Sequence, residues 1–258
     1  MKRMVIIGGG IAGLTAASFL AKEKMNILVL EKEKEVGGLV NSFWDRGFLF
    51  DGGARGIVDS GVVKPMLEQL GLDLELLRSK VSIGIESKMI TVDDRESMKD
   101  YRKMLYDLYP DSHHEVDMII ATIEKVMQHM SVLYGIENPL FKDIKKDREY
   151  LFQTLIPWLF QYLKNSKHIK KYNIPVDEYM SSFVKDTSLL DIIIQHFFLK
   201  TPASFALSYF SLYMDYYYPK NGMGEFPKKL ESFITKNGGE VKKECKVMKI
   251  DVEKQVIT

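Results

Sequence analysis

Three glycines near the amino terminus, Gly8, Gly10 and Gly13, and one acid, Glu31, have the types and spacing to hold a nucleotide. Gly8 lets the chain turn sharply, and Gly10, without a Cβ, lets a diphosphate approach the backbone. Gly13 lets a helix lie close to its strand, and Ala17 is small for the same reason. The start of that helix, at Ile11 and Ala12, presents unpaired N–H groups and a partial positive charge to phosphates. Glu31 stands close to the offset at which an acid meets a ribose hydroxyl, and its charge favours a free 2′-hydroxyl over a 2′-phosphate. Other reactive side chains make no comparable pattern. His113, His114 and His129 have no metal-ligand spacing, so no metal is expected and solvated helix positions are. Cys245 has Lys242, Lys243 and Lys246 beside it, but it falls in a predicted strand, where a buried thiol is usually inert. No catalytic acid, base or nucleophile is assigned.

The elements needed to position these residues are present in order. Met4-Val5-Ile6-Ile7 is apolar and largely β-branched, as in a buried parallel strand. From Leu14 the spacing becomes helical, with Leu14, Ala17, Leu20 and Ala21 on one face, until Lys24-Met25-Asn26. Ile27-Leu28-Val29-Leu30 is a second strand ending at Glu31. Strand, glycine turn, helix and strand in this order form a dinucleotide-binding unit.

Downstream come Lys32-Glu33-Lys34-Glu35-Val36, the pair Gly37-Gly38, and Leu39. Gly47-Phe48-Leu49-Phe50-Asp51-Gly52-Gly53-Ala54-Arg55 follows. Glu31 through Gly38 with Gly47 through Gly53 resembles the FAD-binding signature of flavin amine oxidases and phytoene desaturases. The resemblance implies FAD as the cofactor, with Glu31 and Lys32 in the signature. It implies that Gly37, Gly38 and Leu39 pass the pyrophosphate and that Gly53, Ala54 and Arg55 pass near the isoalloxazine. Many members carry arginine where this chain has Leu39. A phosphate-side charge is therefore absent or supplied elsewhere, and Arg55 is a candidate.

The chain has 258 residues, a net charge of +1 and one cysteine. That balance suits a soluble globular protein in a reducing, cytoplasmic setting, without an internal disulfide framework or a general attraction to nucleic acid. Neither a signal peptide nor a membrane-spanning run is read.

A helix is expected over Val62–Leu77, with an apolar stripe of Val63, Met66, Leu67 and Leu70 that Gly71 ends. A hairpin follows, Val81–Ile85 against Met89–Val92 about Ser87-Lys88, and then a helix capped by Asp93 or Asp94 and stopped at Pro110. Residues 111–218 are dominated by helical spacing and aromatics. Within them Tyr150–Leu163 is strongly apolar, Pro157 should kink it, and Lys164, Lys167, His168, Lys170 and Lys171 follow. This reads either as a buried core helix with a solvated basic tail or as peripheral membrane contact through residues 150–171. The aromatics Phe197, Phe198, Phe205, Tyr209, Phe210, Tyr213 and Tyr216–Tyr218 suit a core or an apolar substrate tunnel.

A helix with Pro227 in its first turn should end at Lys236-Asn237-Gly238-Gly239, followed by strands Glu240–Lys242 and Cys245–Ile250. Tyr218 through Gly224, Gly238 through Val241, and Val247 with Ile250 resemble the phytoene desaturase and retinol saturase branch of the same family. There the residue matching Val247 holds the adenine by its backbone; Asn221 departs from the usual glycine.

The expected fold is α/β: a Rossmann-like, glutathione-reductase-type FAD domain from residues 1–76 and 219–258, with a mainly helical substrate domain, residues 77–218, inserted. Family members continue further, with strands beyond the first strand. A fragment, a shortened product, or half of a split enzyme needing a carboxy-terminal complement is therefore expected, and the chain stops in an apparent hairpin at Gln255–Thr258. The implied activity is dehydrogenation or saturation of carbon–carbon bonds in an apolar isoprenoid. The alternatives are an amine or protoporphyrinogen oxidase, or a non-catalytic remnant.

Overall fold

The computed structural model describes residues 3–58, 61–134, 136–195, 197–251 and 256–257; Gln255 and Thr258, the ends of the expected terminal hairpin, lie outside them. The chain forms two compact units, one of Met1–Ile57, Val63–Arg78 and Tyr217–Thr258, the other of Val58–Val62 and Ser79–Tyr216.

The first unit opens with β1 (Met4–Ile7), α1 (Ile11–Lys22) and β2 (Ile27–Leu30). β1 and β2 are parallel, in register from Met4 opposite Ile27 to Ile7 opposite Leu30. α1 buries Leu14, Ala17, Ser18 and Ala21. Leu20, expected on that face, is only half-buried, and Ser18 takes the place because its hydroxyl donates to the Leu14 carbonyl at 2.8 Å. β3 (Ser42–Asp45) and β4 (Phe48–Asp51) form an antiparallel hairpin. Its two-residue turn, Arg46-Gly47, has positive φ at both residues, the turn that matches strand twist. β5 (Ile57–Val58) and α2 (Val63–Leu70) follow, and Gly71 at φ 62° ends the helix. β6 (Leu76–Arg78) comes next, a correction to the helix expected as far as Leu77, which the left-handed turn at Gly71 cuts short.

In the second unit, β7 (Val81–Ile85) and β8 (Lys88–Val92) form a hairpin. Its turn is Glu86-Ser87, one residue earlier than expected: Glu86 adopts φ 53°, which leaves Lys88 to pair with Ile85. The Asp94 carboxylate accepts the N–H groups of Glu96 and Ser97 ahead of α3 (Ser97–Leu108). α4 (His113–Tyr134) is followed by a π turn over Tyr150–Leu155 and by α5 (Ile156–Ile169). Pro157 sits in the first turn of α5, where its missing N–H costs little, directly after the π turn. α6 (Val176–Ser181), α7 (Thr187–Ile194) and α8 (Ala203–Met214) complete the unit. Its core joins Tyr101 and Leu105 of α3, Ile119 and Ile123 of α4, Met180, Ile193, and Leu207 and Phe210 of α8.

The chain returns through β9 (Tyr216–Pro219), which pairs antiparallel with β6. α9 (Glu225–Lys236) packs on α1 and buries Phe226, Leu230 and Ile234. β10 (Glu240–Lys242) adds to β2 in parallel, giving the sheet order β1-β2-β10. Among the described strands β1 is therefore an edge, with Val5 and Ile7 exposed. The expected strand Cys245–Ile250 is a correction: only Ile250–Asp251 is strand (β11), paired with Val256–Ile257 (β12). The cause is local. Glu244 turns at φ 54°, and the N–H groups of Glu244 and Cys245 are drawn to the carbonyls of Glu33 and Glu31, so the chain wraps over the end of β2. Among the described residues, no helix is long and apolar enough to cross a membrane.

Candidate nucleotide-binding site

The turn between β1 and α1 is set by backbone geometry. Gly8 has φ 99°, in the left-handed region, and its N–H is held by the Leu30 carbonyl at 2.8 Å. A Cβ on Gly13 would lie 2.1 Å from the Gly8 carbonyl oxygen, so only glycine permits the helix this close. At Gly10 an added Cβ would meet no atom within 4 Å. Gly10 is also the N-cap of α1, extended at φ −70°, with no side-chain cap and no acid in the first helical turn. Uncapped amide donors beneath open space, with a helix dipole behind them, suit an anion such as a diphosphate.

Glu31 is buried, 7% exposed, at the end of β2. Its Oε2 accepts the Gly9 N–H at 2.6 Å and its Oε1 the Glu33 N–H at 2.9 Å. A carboxylate oxygen has two lone pairs, so each retains one for a further donor such as a ribose hydroxyl. Lys32 is exposed and pairs with Glu33 at 3.4 Å.

The second glycine pair closes on the first. The Gly37 N–H donates to the Gly9 carbonyl at 2.7 Å, and Gly10 and Gly37 form a parallel bridge. Gly37 is at φ 117°, and an added Cβ would strike the Val40 carbonyl oxygen at 2.6 Å. Gly38, at φ 58°, would place a Cβ 3.4 Å from the Gly10 Cα. Val36, 1% exposed, seals the floor. Leu39 is 76% exposed, while its carbonyl accepts the Ala54 N–H at 2.9 Å and would meet a Gly53 Cβ at 2.8 Å. Gly53 and Ala54 thus lie against the loop that follows the second glycine pair. Arg55, next in the chain, is exposed. Val247 is half-buried and not in a strand; the Cys245 N–H bond to the Glu31 carbonyl, 2.7 Å, starts its segment at the Glu31 end of the sheet.

A polar network absent from the sequence reading ties this region together. Asp51 Oδ1 accepts the Ser42 hydroxyl at 2.8 Å and the Met223 N–H at 3.1 Å, and Oδ2 accepts the Tyr218 hydroxyl at 2.8 Å. Ser42 Oγ in turn accepts the Gly224 N–H at 2.8 Å. Burial, then the bond to Asp51, pushes the Tyr218 hydroxyl up to about 12. The signal was available: Asp51 ends an apolar run, where a carboxylate needs partners.

Among the described residues, no cluster of His, Cys, Asp and Glu is arranged to hold a metal ion. In the second unit a cavity of about 410 Å³ lies between β8 and α3. Lys88, Asp100, Lys103 and Asp107 among its walls make it a poor match for an apolar ligand.

A family model described as an NAD(P)-binding Rossmann-like domain matches residues 6–70. The fold of this part of the chain is therefore Rossmann-like. A Danio rerio protein named inactive all-trans-retinol 13,14-reductase is 24% identical over 98% of this chain and 42% of its own length. The chloroplastic prolycopene isomerase of Daucus carota is 27% identical over 96% of this chain and 42% of its own. The solved structure of the PF1083 protein from Pyrococcus furiosus shares the fold, with a TM-score of 0.61 at 19% identity, over 99% of this chain and 55% of that one. The chain thus spans about half the length of the proteins it matches. Over nearly its whole length the chain is similar to proteins named for retinoid and carotenoid chemistry.

Proposed function

We propose that this chain forms the nucleotide-binding part of an FAD-dependent oxidoreductase that dehydrogenates or saturates carbon–carbon bonds of an apolar, isoprenoid-like substrate. The observation carrying the reading is the closure of Gly37-Gly38 over the Gly8–Gly13 turn, with the Glu31 carboxylate beneath. In this reading the amides at Gly10, Ile11, Ala12 and Gly13 bind the diphosphate, and Glu31 receives the ribose hydroxyls. Gly37, Gly38 and Leu39 line the pyrophosphate, with Lys32 beside the ribose. Gly53, Ala54 and Arg55 approach the flavin ring, Arg55 offering a cation where Leu39 cannot, and the Val247 backbone meets the adenine. The bound flavin would supply hydride transfer, while the chain supplies grip, orientation and exclusion of water.

Two relatives named for retinoid and lycopene chemistry support the apolar substrate. The test is calorimetry and visible spectroscopy of the purified chain. Binding of FAD, with weaker binding of NADP, is expected; a colourless protein that ignores FAD overturns the cofactor reading. Anaerobic reduction by polyenes, amines and a porphyrinogen tests the substrate. Reduction by an amine or porphyrinogen alone would overturn that part and leave the cofactor reading standing.

A further inference from the structure

We infer that α5 and the π turn before it form a peripheral membrane-docking surface that selects anionic lipid. This rests on the second unit alone and stands apart from the cofactor reading.

The helix is apolar on two faces. One is fixed against α4. The Trp158 indole N–H donates to the Val132 carbonyl at 2.6 Å. Asn165, buried and seven residues on, donates to the His129 carbonyl at 2.6 Å and meets His129 Nδ1 at 2.5 Å. Two anchors two turns apart fix which face is inward. On the other face Leu159, Phe160 and Leu163 are 47%, 70% and 54% exposed, and Phe152 in the π turn is 63% exposed. A packed helix facing water should be polar there.

The charge along this segment is one-sided. No acidic residue occurs between Glu149 and Asp177, while Lys164, Lys167, Lys170 and Lys171 are all exposed. Lys171 also lies over the Tyr172 ring, 4.6 Å from its centroid. Large apolar side chains that enter the acyl boundary, next to lysines that reach back to phosphates, are the features of an interfacial helix. A protein partner fits less well, because lysine is depleted in protein–protein interfaces.

The test is sedimentation of the full chain with phosphatidylcholine vesicles, with and without phosphatidylserine. Binding to the anionic vesicles is expected, weakening with salt. Lys164→Gln with Lys167→Gln should lower the affinity about thirtyfold, and Phe152→Ser with Phe160→Ser on the order of tenfold or more. All four positions are exposed, so the fold should survive, as circular dichroism would verify. Three results would overturn the inference: no binding to anionic vesicles; equal binding to both vesicles or binding indifferent to the phenylalanines; or self-association in solution that Phe160→Ser abolishes while vesicles remain unbound.

Discussion

Gly10→Ala separates a glycine kept for a ligand from one kept for the fold. At φ −70° and ψ 173° alanine is unstrained, and its Cβ would meet no atom within 4 Å. The substitution removes freedom from the unfolded chain, so stability should be unchanged or rise by about 0.4–1 kcal/mol. The open space it enters is the one assigned to the diphosphate. A methyl there should push the phosphates off the amides of α1 and weaken FAD on the order of tenfold to a hundredfold, about 1.4–2.7 kcal/mol. Gly13→Ala is the matched control: its Cβ would sit 2.1 Å from a backbone oxygen that cannot retreat without moving α1 from β1. It should destabilise the first unit by about 3 kcal/mol or more. Urea unfolding of the ligand-free proteins and FAD calorimetry read the two effects separately. If Gly10→Ala binds FAD as tightly as the parent, or unfolds as readily as Gly13→Ala, the assignment of that space to phosphate is wrong.

Glu31→Ala should cost about 2–4 kcal/mol without ligand, because two N–H donors lose a charged acceptor and that of Gly9 is buried. Amide exchange at Gly9 and Glu33 should accelerate, and unchanged protection there would refute the cap. Tyr218→Phe should cost about 1–2 kcal/mol through the lost bond to Asp51. The Tyr218 phenol holds its proton more tightly folded than unfolded. Its contribution is therefore complete below the ordinary value of 10.0 and is lost as pH rises toward about 12. Parent and Tyr218→Phe stabilities should converge across that window, and a constant difference would show that the bond is not the source.

What could be read from the sequence was what one local element encodes. β1, the glycine turn, α1 and β2 each carry their own pattern, and the turn residues constrain one another within a few positions. Ser18 shows the limit, because its burial depends on a hydrogen bond to its own helix that hydrophobic periodicity does not count. Residues 245–249 depart from the expectation for a longer-range reason: alternating apolar residues predict a strand, yet the backbone donors that begin the segment go to the carbonyls of Glu31 and Glu33, just past β2. The Asp51 network joins residues up to 182 positions apart (Ser42 to Gly224), a distance no local window spans.

The same limit explains why α5 stayed ambiguous between core and interface. Periodicity measures how much apolar surface a helix has and at what spacing, and α5 has enough for two faces. Nothing in that measure says which face the protein takes. The decision is made by polar atoms: an indole N–H and an asparagine amide find carbonyls on α4, and once they do, Leu159, Phe160 and Leu163 must point away. Leaving either donor buried without its carbonyl would cost about 1–3 kcal/mol, whereas interchangeable apolar side chains cost little to swap between faces. Polar anchors thus fix the orientation of a doubly apolar helix, and the apolar residues they turn outward become available for something other than the core.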